Sequence, residues 1–157
     1  MEADLASYRK AANHYSQKIR GMGSLLLSLT AVTIVNMFLA ANHSGVNLIF
    51  GLIWPEVTII AFVKYHSVIL FITGLISVFA LGCLGLASRT GDRWVFIVAL
   101  AFLGLDLGLT FLDIGPMFIA ALAHVYVIYR LFETLRFCKL RDQANSSANA
   151  LVAALGV

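Results

Sequence analysis

The stretch Gly104-Leu105-Asp106-Leu107-Gly108-Leu109-Thr110-Phe111-Leu112-Asp113 decides how this chain is read. It sits in an apolar run long enough to cross a bilayer, which takes about 20 residues of helix, and it carries two carboxylates there. Asp106, Thr110 and Asp113 are spaced four and three, so on a helix they share one stripe. Gly104 and Gly108 fall about 200° around the axis from Asp106, which gives the helix a GxxxG packing face opposite its polar one. A carboxylate near mid-membrane costs about 2.5–3.5 kcal/mol on insertion scales, so Asp106 is expected to face inward and to have a partner. Asp113, at the edge of the run, is expected to be solvated or to cap the turn before Pro116.

The composition sets lipid as the solvent. The chain has 157 residues, enough for one domain, and is 61% hydrophobic and only 12% charged. Soluble domains run at about 25% charged, and a chain this apolar lacks the polar atoms to cover its own surface. The net charge of +3 does not point to nucleic acid. Lys and Arg flank apolar segments instead of interleaving with aromatics in a patch. Cys83 and Cys138 have neither CxxC nor metal-ligand spacing, so neither a disulfide framework nor thiol redox chemistry is expected.

Outward from the central stretch, the pattern predicts an all-α bundle of four transmembrane helices over about 24–41, 67–88, 94–112 and 116–133. The first apolar run is too long for the h-region of a cleavable signal and is read as a retained span. Residues 1–22 carry Leu5, Tyr8, Ala12, Tyr15 and Ile19 on one face, which predicts a cytoplasmic amphipathic helix. In the first span Ser24 and Ser28 give a small-xxx-small spacing, and Gly74, Gly82 and Gly85 are small contacts in the second. Between these spans, Pro55-Glu56 divides two apolar pieces too short to cross, so a short interfacial or re-entrant element is expected, with Pro55 opening a helical turn. Residues 142–157 read as a mobile cytoplasmic tail. With both termini cytoplasmic, Arg9, Lys10, Lys18, Arg20, Arg89, Arg93, Arg130, Arg136, Lys139 and Arg141 share one side and Lys64 alone takes the other.

This topology places Asn36, Thr73, Asp106 and His124, from four different helices, in one layer roughly 9–12 Å below the outer surface. An Asp–His pair in low dielectric can hold an ion pair or a neutral hydrogen bond, which is what a proton relay or a cation site requires. The alternative is that the layer is interhelical glue, worth about 0.6 kcal/mol per hydrogen bond on average. Tyr126, Tyr129, Arg130, Glu133 and Arg136 are explained by belt aromatics and snorkelling. No HExxH, Walker loop or nucleophile triad is present, and the sequence calls for no catalytic residue, metal or cofactor.

Asn47-Leu48-Ile49-Phe50 before Pro55, Trp94 with Val98-Ala99-Leu100 and Leu105-Asp106, and His124-Val125-Tyr126-Val127-Ile128-Tyr129 together resemble small four-span integral membrane proteins of bacteria. That group is uncharacterised, so the resemblance implies a multi-pass inner-membrane location and transfers no active site. The expected function is that of a non-enzymatic helix-packing or assembly protein, with the lipid bilayer and a homo-oligomer or another membrane protein as partners. Two alternatives stand beside it: a small proton- or cation-coupled transporter or channel using Asp106 and His124, and a membrane-embedded enzyme acting on a lipid or quinone.

Overall fold

The computed structural model describes residues 2–42, 51–112 and 118–155, without the side chains of 109–120, and every regular element in them is helical. The order is α1 (Glu2–Ala41), α2 (Ile53–Tyr65), α3 (Val68–Ala87), a 3-10 turn (Ser88–Thr90), α4 (Arg93–Leu112) and α5 (Phe118–Leu155). Two segments, Ala3–Ala41 and Val68–Thr90, are long and apolar enough to cross a membrane. Thr110 and Asp113, assigned above to a polar stripe and a turn, lie outside the described side chains.

Two expectations are corrected at the ends of the chain. The amphipathic segment at 1–22 is not a separate helix: it runs unbroken into the first apolar segment as α1. Its stripe explains this, because Ala12, Ile19, Met22, Leu26, Leu29, Thr33 and Asn36 continue one alternation of threes and fours, all of them buried. The tail is helical too, through Leu155, with Ala144 and Ala148 buried in line with Leu131, Thr134 and Cys138. Reading the Ser/Asn/Ala composition as mobile missed that these alanines extend a packed stripe. α1 packs more extensively on α5 than on any other helix. Tyr15 stacks on Phe137 at 6.0 Å, while Leu29 and Val127 line one small cavity, so the two helices run antiparallel.

α3 crosses α1 where both are thin. A Cβ at Gly85 would come within 2.9 Å of Leu27 Cγ and 3.2 Å of the Leu27 backbone nitrogen, and one at Gly23 would overlap the Ser88 hydroxyl. Gly23, not the exposed Ser24 and Ser28, is therefore the small contact on α1. Gly74 does the same for α2, since a Cβ there would overlap the hydroxyl of buried Thr58. Phe62 and Phe71 stack at 4.9 Å beside it, and His66, in the left-handed region at φ 55°, caps α2 by donating its N–H to the Phe62 carbonyl. Gly91 (φ 78°) turns the chain into α4 under the Arg141 guanidinium, where a side chain would collide. The core that results draws on α1, α3, α4 and α5, with Phe96, Leu26, Leu81, Leu103 and Leu131 fully buried and Leu52 closing it at the start of α2.

Candidate functional site

The site forms where α2 begins. A helix starts with four backbone N–H groups that have no intrahelical partner, and burial makes each one costly if left open. The residue before α2 is Leu52, which cannot cap it, and it makes no side-chain cap. The donors are all met from other helices. Leu52 N–H donates to Thr33 Oγ1 of α1 at 2.9 Å. Ile53 and Trp54 N–H donate to Asp106 Oδ2 and Oδ1 of α4, each at 3.0 Å. The fourth position is Pro55, which has no N–H to satisfy. Pro55 therefore sits third in α2 and does not open it, as the sequence had suggested; the helix starts two residues earlier, at Ile53.

His124 of α5 completes the arrangement, with Nε2 at 2.8 Å from Asp106 Oδ2. With both carboxylate oxygens already accepting from backbone, the Nε2–H tautomer donates to a carboxylate here. Asp106 is 4% and His124 3% exposed, so this charge-assisted contact is out of water. The N-terminal end of α2 points at the same carboxyl group. Thr33 relays further, since its hydroxyl donates to the Leu29 carbonyl at 2.8 Å while accepting from Leu52.

Of the four residues placed in one layer from sequence, the structure brings Asp106 and His124 into contact. Asn36 is buried two turns from Leu29 on the same stripe, against Gly51, where a Cβ would come within 2.6 Å of its Nδ2. Thr73 stands apart: it is half-buried on α3 and its hydroxyl donates to the Leu70 carbonyl of its own helix at 2.7 Å. Gly104 and Gly108 are exposed, and a Cβ on either would meet nothing within 4 Å. Among the described residues they pack against nothing. Sequence reasoning missed Thr33 and the three backbone donors of 52–54. The available signal was Pro55, which marked a helix start with no Ser, Thr, Asp or Asn ahead of it to cap it.

The space around the pair is small. A cavity of about 10 Å³ lies beside His124, lined by Leu29, Gly51, Leu103, Ala123 and Val127. A groove of about 650 Å³ opens elsewhere, between α1 and α3, walled by Ile34, Met37, Phe71, Val78 and Phe79. Among the described residues its lining holds no Asp, Glu, His, Lys or Arg. Among the described residues no three His, Cys, Asp or Glu side chains converge on a metal position. On α5, Arg130 pairs with Glu133, one turn away and partly exposed. No family model, curated protein or solved structure matches this chain.

Proposed function

We propose that the chain is a four-span bacterial inner-membrane protein with both termini cytoplasmic, and that it works by association and not by catalysis. The observation that carries this reading is the commitment of the buried polar layer. Both oxygens of Asp106 are engaged by the start of α2 and one also by His124, and both side chains are buried. What the fold leaves open is its outer surface. Ile69, Phe79, Trp94 and Leu105 are each more than 70% exposed, a pattern that suits lipid or another helix. On α4, Gly104 and Gly108 give that surface a shallow strip where a second helix can approach closely.

In reconstituted bilayers, Gly104→Leu with Gly108→Leu is expected to abolish self-association or capture of a membrane partner. The thermal midpoint of the monomer should stay within about 2 °C, because both positions are exposed and a Cβ on either meets nothing within 4 Å among the described residues. Single-molecule photobleaching or cross-linking in the bilayer reads the first quantity. A wild-type chain that stays monomeric and partnerless would overturn the reading.

The Asp106–His124 contact favours a second reading, a proton- or cation-coupled carrier in which that pair exchanges a proton or cation. It requires flux in liposomes that Asp106→Asn removes while the helical signal is kept. Flux indistinguishable from empty liposomes removes this alternative.

A further inference from the structure

We infer that the cytoplasmic end of the α4–α5 seam binds the phosphate of a membrane phospholipid headgroup. The inference rests on the four-span reading above, which puts this end at the inner leaflet. Arg93, from the first turn of α4, and Lys139, Gln143, Ser146 and Ser147, from α5, line a cleft of about 500 Å³. All five side chains are exposed and carry hydrogen-bond donors. Asp142 also lines the cleft, but its carboxylate accepts from Arg141 Nε at 3.0 Å and Nη2 at 2.8 Å. The nearby Asp92 accepts from the Thr90 hydroxyl at 2.9 Å, which holds it within its own turn. Arg93 and Lys139 are thus two cations facing a common space whose acid is already matched by Arg141.

The depth fits a phosphate. Asp106 and His124 tie α4 to α5 at one level, and the helices run antiparallel from there. At 1.5 Å per residue Arg93 lies about 20 Å from that level along α4, and Lys139 about 22 Å along α5. A pair roughly 9–12 Å below the outer edge of a roughly 30 Å core puts both cations at the inner boundary. Trp94, next to Arg93 and 75% exposed, is the residue type that sits at headgroup level. A guanidinium offers a fork to two phosphate oxygens, an ammonium offers a point charge, and the two serines and the glutamine supply neutral donors above them.

The same chemistry recognises free phosphate, and the experiment separates the two sources. The 157-residue chain, delipidated in neutral detergent, is offered phosphatidylglycerol, diacylglycerol with the same chains, or inorganic phosphate, and retained ligand is counted by native mass spectrometry. Phosphatidylglycerol is expected to be held about tenfold better than diacylglycerol, and Arg93→Gln with Lys139→Gln should erase that difference. Lys10→Gln with Arg20→Gln, which removes equal charge from residues that do not line the cleft, should leave it unchanged. Ser146→Glu, adding charge of the wrong sign with Arg93 and Lys139 intact, should expel the lipid and covers the case in which the double variant folds poorly. Equal retention of the two lipids, retention that survives the double variant, or full competition by millimolar phosphate would overturn the proposal. Topology is read separately, by impermeant maleimide on Ser147→Cys over the wild-type background. Labelling from the outer face alone overturns the four-span orientation, whereas cytoplasmic labelling without lipid selectivity overturns only the headgroup site.

Discussion

Asp106→Leu is expected to lower the unfolding free energy by about 3–5 kcal/mol, the range for removing one partner from a buried charged network. Average interhelical hydrogen bonds in membranes are worth only about 0.6 kcal/mol, because the dispersed helices find other partners. That discount does not apply to the start of α2. Ile53 and Trp54 would keep N–H groups that neither lipid nor Leu52 can satisfy, and His124 would lose its acceptor. Asp106→Asn should fall between, at about 1–3 kcal/mol, because its amide offers one oxygen where two acceptors are needed. His124→Leu should cost less than Asp106→Leu, since both α2 donors stay met. Equilibrium unfolding in mixed micelles gives the order, and hydrogen exchange at 52–54 gives the location. Asp106→Leu as stable as wild type would show that α2 is held by packing alone.

The second large effect is expected at the α1–α3 crossing, where Gly85 and Gly82 should rank by what surrounds them, with the exposed Gly104 of α4 as the reference. Gly85→Ala is expected to destabilise by about 1–3 kcal/mol, the usual cost of overpacking. Its Cβ would face the Leu27 backbone nitrogen at 3.2 Å, and backbone inside a packed helix cannot swing aside. Gly82→Ala, three residues earlier on α3, would touch only Thr30 Cγ2 at 3.5 Å, an ordinary contact. It should be within about 0.5 kcal/mol of wild type or slightly stabilising, because alanine is the better helix former. Gly104→Ala should behave like Gly82→Ala in the monomer. Thermal midpoints of the three variants in one detergent test the ranking, and a tolerated Gly85→Ala would mean that the helices separate there at little cost.

The helices were legible in the sequence because apolar runs and charged ends mark them, and α3 and α4 begin within one residue of the expected spans. What was not legible is continuity. Nothing local in 1–22 separates a helix lying on a surface from one continuing inward, since both show the same amphipathic face; the partner stripe on α5 decides. Counting depths on helices of uniform rise put Asp106 and His124 in one layer, which is a long-range argument that sequence can carry, but it left open whether the two touch, as they do at 2.8 Å. Thr73 defeated the same count because depth says nothing of rotation about the axis, and its hydroxyl has an acceptor one turn away on its own helix. The backbone half of the site stayed hidden for a further reason: N–H groups bear no residue name, so no motif could reveal that α2 lacks a cap. Gly104 and Gly108 were readable as a close-approach face, while the sequence could not say that both would be exposed on α4.

The cap of α2 comes from a residue 53 positions later in the chain, which sets an order of assembly during synthesis. At about 5–20 residues per second, Asp106 is made roughly 3–10 s after Ile53, and His124 later still. Through that interval the first turn of α2 has no carboxylate to hold it, and Thr33 alone is available. The start of α2 has to stay hydrated until α4 comes beside it. The shortest α-helix is then seated only after α4 is made, by a carboxyl group that does not yet exist when the helix itself leaves the ribosome.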